Sequence, residues 1–322
     1  MSESEVKSII EENRRHNEAL FSEYDPLTGV GSPIERVRLN LANDGRHILI
    51  PKYIASASAF AEMLQYPNLE EYIQARNLSR DDVHDVITRL RIKYDFEFWA
   101  ATCATIFDKT SGQEVKFKLR KAQRKLLKVL VETAFALRPI RVILVKARQW
   151  GGSTLIQLFC SWIQLFHRKN WNSVIATHIE EAARNIRGMY TLMAERHPKD
   201  IQEVRFRAFE GSSKNKQIVD RGCVIYIGSM ERPNSLHSGN YKLVHCSEVG
   251  IWKKTDGKSP EDIIRSACSG ILLEPYTMIV YESTANGSGN FFQREYDAAK
   301  RGLSQFEALF VSWFDIEKYS AP

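Results

Sequence analysis

The spacing of apolar residues changes character near residue 117. Upstream, from about 56 to 107, apolar positions recur at helical spacing, and residues 79–82 resemble a capping box that opens a helix ending near Lys93. Before that stretch, residues 1–50 are charged, and a possible first helix is followed by clustered prolines and glycines. The pattern therefore predicts a peripheral or flexible N-terminal segment followed by a small helical subdomain.

After residue 117, short β-branched runs alternate with helical stretches, and the first helix is strongly basic. The elements predicted after it are a strand at 141–147, a helix at 153–167, a strand at 173–177, a helix at 180–195, a hairpin at 216–228, a strand at 242–246, a helix opening at 259, a strand at 277–284, a helix at 290–301 and a strand at 306–313. Such alternation implies a doubly wound, mostly parallel α/β sheet flanked by helices. We accordingly expect three units: a peripheral segment at 1–50, a lid-like helical subdomain at 51–110 and an α/β core at 111–322.

Composition narrows the class of protein. With 322 residues, 43% of them hydrophobic, the chain can bury one large core and a smaller appendage. Its five cysteines are widely spaced without a CxxC pair, which argues against a zinc site or a disulfide framework. No run approaches the roughly 18 apolar residues of a membrane span, and the charged N-terminus lacks the apolar core of a signal peptide. We expect a soluble intracellular protein.

Basic residues are concentrated in one part of the chain. The formal net charge is +6, yet the stretch 116–148 alone contains eleven lysines and arginines against one acid, Glu132. Arg120, Arg124 and Lys128 recur at helical spacing, which predicts a cationic stripe along the basic helix. The stripe is either a solvated helix face or a surface that attracts polyphosphate, whether nucleotide or nucleic acid.

The loop after the first predicted core strand departs from the standard phosphate-binding pattern. Residues 146–154 read KARQWGGST, and a helix follows. Compared with the pattern GxxxxGK followed by Ser or Thr, Gly151 matches the second glycine and Ser153 the metal-binding hydroxyl. Gly152, however, stands where the lysine is expected, and Lys146 occupies the place of the first glycine. The standard pattern therefore fails.

The same loop nevertheless offers what phosphates require. It combines a strand-to-helix turn, two glycines whose amides can point inward, and the positive end of a helix dipole. The missing cation could be Lys146, whose long side chain can fold over the phosphates from the start of the loop. A Gly-Gly turn before a helix is also common architecture without any ligand, so the loop alone leaves nucleotide binding open.

Polar residues follow a second predicted strand. The strand at 242–246 ends in Ser247 and Glu248, where a Walker B strand places an aspartate for Mg²⁺ and a glutamate that activates water. The Ser247 hydroxyl can hold a metal-bound water but brings no charge, and Glu248 would polarise the attacking water. Taken alone, Glu248 is better interpreted as a surface glutamate after a strand.

Two further segments carry weaker signals. The strand at 277–284 runs into small and amide residues at 285–290, which suit a sensor of the γ-phosphate and an ordinary turn equally well. Upstream, Phe117 and Gln123 could flank an adenine, because the Gln123 amide offers both a donor and an acceptor to its edge.

Four segments together resemble one known family. KARQWGGST, ATHIEEAARNI, LVHCSEVGIW and YESTANGSGNFF, in this order and spacing, are similar to the ATPase domain of tailed-bacteriophage terminase large subunits. The resemblance spans 117–313, and the joint occurrence of four segments is far more specific than any one of them. Several family members carry the loop lysine at its start and a serine before the Walker B glutamate, so Lys146 and Ser247 look like variants within the family.

The resemblance implies a P-loop NTPase fold of the ASCE, RecA-like type, with ATP and Mg²⁺ as ligands. The implied ATP-binding residues are Lys146, Gln149, Gly151, Gly152, Ser153 and Thr154, with Gln123 and Phe117 at the adenine. The implied residues of the metal shell are Ser153 and Ser247. The implied catalytic residues are Glu248 and Arg148, the arginine acting either in its own subunit or on a neighbour. The coupling motif is matched by Ser283, Thr284, Ala285 and Asn286.

The family also implies an ATP-driven motor that moves double-stranded DNA into a viral procapsid. The expected partners are DNA, the portal of the procapsid, a small terminase subunit and further copies of the chain in a ring, all in the cytoplasm of the host cell and without a membrane. Family members end in an RNase H-like nuclease, and the residues after Trp313 are too few for one. WFDIEKYSAP resembles the start of the linker to that nuclease, which favours a motor-domain fragment without nuclease activity.

Two other functions stay open at this point. One is a non-catalytic DNA-binding or assembly module whose nucleotide site has decayed, because both the usual lysine and the usual aspartate are missing. The other is a cellular helicase, which would need a second motor domain that does not fit in the remaining residues.

Overall fold

The computed structural model describes residues 2–201, 205–209, 212–229, 240–253 and 259–319. Two antiparallel strand pairs lie in the first part of the chain: β1 (Arg36–Asn40) with β2 (His47–Pro51), and β3 (Thr105–Asp108) with β4 (Gln113–Lys116). The remaining strands form one sheet: β5 (Ile140–Lys146), β6 (Asn172–Thr177), β7 (Phe206–Phe209), β8 (Ser212–Ile218), β9 (Cys223–Ser229), β10 (Tyr241–Ser247), β11 (Met278–Ser283) and β12 (Glu307–Val311).

The sheet has the order β12-β5-β11-β10-β6-β9-β8-β7. The strands from β12 to β9 run parallel, whereas β8 and β7 are antiparallel additions at one edge. Since β11 separates β5 from β10, the carboxyl ends of these three strands lie side by side. Any loop that follows one of them therefore meets the loops of the other two at the same edge.

Helices cover both faces of this sheet. In chain order they are α1 (Glu3–Leu20), α2 (Lys52–Ala55), α3 (Ser58–Met63), α4 (Leu69–Ala75), α5 (Arg80–Tyr94), α6 (Phe96–Thr102), α7 (Lys121–Phe135), α8 (Gly152–Trp162), α9 (Glu180–Arg196), α10 (Pro260–Cys268) and α11 (Phe291–Lys300). A π-helical turn, Ile163–His167, extends α8. None of the helices in the described ranges combines the length and the apolar character needed to cross a bilayer.

Apolar side chains form three buried clusters. The largest joins α6, α7 and α8 to one face of the sheet, and a second packs α10 and α11 on the opposite face. A third, smaller cluster belongs to the β1–β2 hairpin and helices α2 to α5. The apolar β-branched strands of the centre are thus buried on both sides, as parallel strands between two helical layers must be.

Most of the predicted core elements are confirmed. The predicted strands and helices downstream of residue 117 occur within a few residues of their predicted bounds, and Ser79 and Ser259 cap α5 and α10. The mostly parallel sheet flanked by helices confirms the predicted α/β fold. The sequence also predicts a polar loop at 229–241, and most of it, 230–239, lies outside the described residues. The boundaries of the three expected units stay a prediction.

Several expectations were wrong. The stretch 56–107 is not helical throughout, because β3 begins at Thr105, and β1, β2, β4 and β7 were not predicted. These strands are only four or five residues long. A short run carries too few alternations for its period to stand out.

The predicted cationic stripe is interrupted at Arg124. Its side chain is buried, donates to the Gly31 carbonyl oxygen at 2.8 Å, and lies 4.1 Å from the centroid of the Tyr24 ring. Arg36 in β1 forms a second buried contact of the N-terminal segment, an ion pair of 2.8 Å with Asp95 at the start of α6. Buried cations require such partners, so Arg124 holds the N-terminal segment against α7 and cannot attract polyphosphate.

Candidate functional site

The loop between β5 and α8 turns sharply through two residues in the left-handed region. Gln149 has a φ of 56° and Gly151 a φ of 78°, and Gly151 is the N-cap of α8. The first turn of α8 therefore presents free backbone N–H groups and the positive end of the helix dipole at the carboxyl edge of the sheet. The predicted strand-to-helix turn is confirmed, and its geometry is that of an anion site.

The absence of a lysine at position 152 has a steric reason. The Trp150 indole is buried, and a Cβ atom on Gly152 would lie 1.9 Å from its ring. No side chain fits at position 152 unless the tryptophan moves. A cation for this loop must therefore come from another position.

Gln123 on α7 forms hydrogen bonds with the same loop. Its Nε2 donates to the carbonyl oxygens of Trp150 and Gly151, both at 3.1 Å, and its Oε1 accepts from the backbone N–H of Arg120 at 2.8 Å. Gln123 and Phe117 are both buried. In this structure the two side chains serve the loop and the core, and their contact with adenine stays a prediction.

Lys146 is the last residue of β5 and the cation that the sequence assigned to phosphate. Its side chain is largely buried, and its ammonium forms an ion pair with the Glu248 carboxylate. Glu248 directly follows β10, so the pair spans the width of β11. The structure thus brings together the two residues predicted to bind phosphate and to activate water.

Glu248 has an unusual backbone conformation. Its φ is 59°, a region that non-glycine residues seldom adopt and that recurs at sites of function. The Glu248 side chain is 21% exposed, and its Oε2 accepts from the backbone N–H of Thr284 at 3.4 Å. The turn after β10 therefore holds the carboxylate at the sheet edge while leaving it partly open to solvent.

A second carboxylate, to which the sequence analysis assigned no role, lies beside this pair. Glu282 in β11 is fully buried, and its Oε1 accepts from the Ser153 hydroxyl, from the Ser247 hydroxyl at 3.1 Å and from His245 Nε2 at 3.0 Å. Burial raises the pKa of Glu282, but the His245 hydrogen bond, the Lys146 charge and the Ser153 hydrogen bond lower it to about 2. The carboxylate is therefore ionised at neutral pH.

A buried chain of polar groups holds this carboxylate in place. Tyr190 donates its hydroxyl to Gln157 Oε1 at 2.7 Å, and Gln157 Nε2 lies 2.9 Å from His245 Nδ1. Because the Gln157 amide donates to Nδ1, the imidazole proton sits on Nε2 and is directed at Glu282. His245 thus links Gln157 to the Glu282 carboxylate.

The predicted coupling residues contact the turn that carries Glu248. Ser283 Oγ accepts from the Gly250 backbone N–H at 3.0 Å, and Asn286 Nδ2 donates to the Gly250 carbonyl oxygen at 3.1 Å. A Cβ atom on Gly250 would lie 2.8 Å from Ser283 Oγ, so a larger residue at this position would displace the Ser283 hydroxyl. Ala285, between them, is exposed.

The outer part of the phosphate loop is solvent-accessible. Arg148 is exposed, and its carbonyl oxygen accepts from the Tyr319 hydroxyl at 3.2 Å. Gln149 Oε1 accepts from Lys318 Nζ at 2.9 Å, and Thr154 is half-buried in the first turn of α8. An exposed Arg148 can reach a ligand of its own subunit or of a neighbour, and the choice between the two stays a prediction.

The donors at this edge fit Mg²⁺. Ser153, Ser247 and Glu282 supply hydroxyl and carboxylate oxygens, the ligand type that Mg²⁺ prefers. Glu282 Oε2 is buried and has no hydrogen-bond partner among the described residues. Within that part of the chain, no group of three or more His, Cys, Asp or Glu could hold a metal by itself. The ion would therefore need further oxygens, which nucleotide phosphates provide.

Fold and site together define a class: an α/β fold with a mostly parallel sheet, in which one strand, β11, separates the strand before the loop at 146–154 from the strand before Glu248. No protein-family model and no curated protein matches the chain. Among solved structures, the crystal structure of the HK97 bacteriophage large terminase is similar to this chain. The TM-score is 0.53 and the sequence identity 16%, and the match covers 69% of this chain and 43% of that chain. The large terminase ATPase domain of a Thermus phage is similar with a TM-score of 0.41 and 16% identity, over 60% of this chain and 87% of that chain.

The likeness to the HK97 protein establishes a shared fold. This chain spans less than half of the HK97 structure, 43% of its length.

Proposed function

We propose that this chain is the ATP-hydrolysing motor of a viral DNA-packaging machine of the large-terminase kind. The observation that carries the proposal is the pairing of Lys146 with Glu248 beside the loop between β5 and α8. It brings a phosphate-binding cation and a water-activating carboxylate to one edge of the sheet. The fold shared with the HK97 bacteriophage large terminase supports the same function.

ATP binds with its phosphates on the first turn of α8. The backbone N–H groups of Gly151 and Gly152 face the phosphates, as in other helix-terminal anion sites. Lys146 supplies the cation that Trp150 prevents at position 152. Gln149, Ser153 and Thr154 supply the polar side chains of the loop.

Lys146 changes partners when ATP binds. Without nucleotide its ammonium neutralises Glu248, and a γ-phosphate attracts the same ammonium more strongly because it carries more charge. Glu248 is then free to accept a proton from the attacking water, a role worth about 10²- to 10⁴-fold in rate. Ser153 and Ser247 would hold Mg²⁺, which would supply positive charge against the charge that develops on the phosphates.

The turn after β10 transmits the state of the site. Ser283, Thr284 and Asn286 all hydrogen-bond to residues 248–250, so a shift of Glu248 displaces the loop that follows β11. This loop couples hydrolysis to movement of DNA. Arg148 stabilises the transition state from its exposed position, and such arginines are worth about 10³- to 10⁵-fold.

Double-stranded DNA, a portal, a small terminase subunit and further copies of the chain in a ring are the proposed partners, with the host cytoplasm as the place of action. If Arg148 acts on a neighbouring subunit, an isolated monomer turns over slowly. Ring assembly then raises the rate without any change in the protein's own site.

Calorimetric titration with ATP and Mg²⁺, combined with phosphate release in the presence and absence of double-stranded DNA, tests the proposal. We expect ATP binding and a slow phosphate release that DNA accelerates. A non-catalytic module with a decayed site would show neither binding nor release. Unwinding of a forked duplex at the rate of hydrolysis would instead favour a helicase.

A further inference from the structure

We propose that Glu282 in β11 supplies the magnesium-site carboxylate that a Walker B aspartate at the end of β10 supplies in other P-loop ATPases. The proposal rests on the proposed ATPase function and names a residue of its metal site. Position 247, the usual place of the aspartate, is a serine. In this chain the negative charge of the site is therefore on the neighbouring strand, β11, at Glu282.

The sheet register puts the two positions side by side. Ser247 and Glu282 are paired residues of the parallel strands β10 and β11, and their side chains are in contact through a hydrogen bond of 3.1 Å. A carboxylate on either residue therefore reaches the same region of the carboxyl edge. Moving the charge from one strand to the next keeps it close to the phosphate loop.

The hydroxyl of the phosphate loop points at this carboxylate. Ser153 donates to Glu282 Oε1, and Ser153 occupies the loop position whose hydroxyl binds Mg²⁺ in P-loop proteins. The metal-binding hydroxyl and the acidic partner of the metal are thus already assembled. No second charged residue is needed to complete the protein's share of the site.

The second carboxylate oxygen provides the independent sign of a ligand. Glu282 Oε1 accepts three hydrogen bonds, whereas Oε2 is buried and lacks a hydrogen-bond partner within the described residues. Buried charged oxygens are rarely left without a partner, because their desolvation is costly. An ion or its coordinated water at Oε2 satisfies this oxygen.

A purely structural role for Glu282 makes a different prediction. In that case the carboxylate only pairs with His245, and its loss would destabilise the fold without changing how nucleotide affinity depends on Mg²⁺. The measurement that separates the two is the ratio of affinities for a non-hydrolysable ATP analogue with Mg²⁺ and with EDTA. This ratio does not require turnover.

We expect Glu282→Gln to reduce the Mg²⁺-dependent gain in affinity by about 10- to 100-fold and to leave affinity in EDTA nearly unchanged. Adding Ser247→Asp to this variant returns the carboxylate to β10 and should restore most of the gain. Glu274→Gln is the control, since it removes a half-exposed carboxylate that precedes β11 and pairs with Lys242, and its ratio should stay close to that of the wild type.

An unchanged ratio in a folded Glu282→Gln variant would overturn the inference while leaving the ATPase proposal intact. If the wild type binds no analogue under either condition, the proposed function itself fails. If Glu282→Gln does not fold, the single variant Ser247→Asp tests the inference instead. It adds a carboxylate to the same site and should tighten Mn²⁺ binding to the nucleotide complex in electron paramagnetic resonance titrations, and unchanged Mn²⁺ affinity would contradict the inference.

Discussion

Lys146 and Glu248 form an ion pair across the width of β11, although they lie on different strands and far apart in sequence. The Lys146 side chain is only 7% exposed and that of Glu248 21%, so solvent screens the pair weakly. Each residue therefore holds the other in place until a ligand competes. This arrangement keeps the proposed base neutralised in the absence of nucleotide.

Glu248→Gln should separate binding from turnover. The amide cannot accept the proton of the attacking water, so we expect phosphate release to fall by about 10²- to 10⁴-fold. ATP affinity should be retained or increased, because the Lys146 ammonium no longer has to break an ion pair with Glu248 before it binds phosphate. Calorimetry measures the ATP affinity and a phosphate-release assay measures turnover, both on the same preparation. Turnover at the wild-type rate would remove Glu248 from the role of base.

Lys146→Ala should weaken ATP binding. A charged hydrogen bond contributes roughly 1.5–3 kcal/mol, which corresponds to a loss of affinity of about 10- to 100-fold. Lys199→Ala, which removes an exposed lysine beyond α9, is the matched control and should leave affinity unchanged. Equal affinity of the two variants would show that Lys146 does not bind phosphate.

Gly152→Ala should damage the phosphate loop through Trp150. The added methyl group would overlap the indole, and overpacking of this kind costs about 1–3 kcal/mol. We expect a lower melting temperature and weaker ATP binding together. Gly188→Ala in α9, where a Cβ atom meets nothing within 4 Å, should instead stabilise the helix by up to about 1 kcal/mol. Equal effects of the two substitutions would contradict the proposed packing.

Stability should fall below neutral pH in part because of His167. Burial and the positive charge of Lys93 lower the pKa of His167 from 6.5 to about 3. Between these values the unfolded chain binds a proton that the folded chain does not. The free energy of unfolding therefore declines as the pH falls, by about 1.4 kcal/mol per pH unit from this residue.

His167→Phe should reduce that slope. The ring lies 4.5 Å from Trp162 and 5.3 Å from Tyr276, centroid to centroid, so phenylalanine suits the surrounding aromatic cluster. Urea unfolding between pH 6.5 and 4 measures the slope for both proteins. Parallel curves for the variant and the wild type would show that His167 does not titrate on unfolding.

The sequence places the loop at 146–154 and Glu248 directly after short buried strands, where ligand loops lie, and the family resemblance assigns both of them to an ATPase site. It assigns no role to Glu282, whose function depends on β11 pairing with β10 in a register that sets it opposite Ser247. The register of parallel strands joined by a long crossover follows from assembly of the whole sheet. The only local sign is a carboxylate near the end of an otherwise apolar run.

The reason for glycine at position 152 is likewise tertiary. The sequence shows that a lysine is missing, and the packing of Trp150 explains why. Arg124 illustrates the opposite error, since helical spacing predicted an exposed stripe and contacts with Gly31 and Tyr24 bury the residue. Periodicity along one helix does not reveal which remote segment will cover it.

A crystal structure with Mg²⁺ and a non-hydrolysable ATP analogue tests the central claim most directly. We expect the Lys146 ammonium to have left Glu248 for the γ-phosphate, the phosphates to lie on the Gly151 and Gly152 amides, and Mg²⁺ to contact Ser153. An analogue bound elsewhere, or one bound at the loop while Lys146 remains paired with Glu248, would contradict the account.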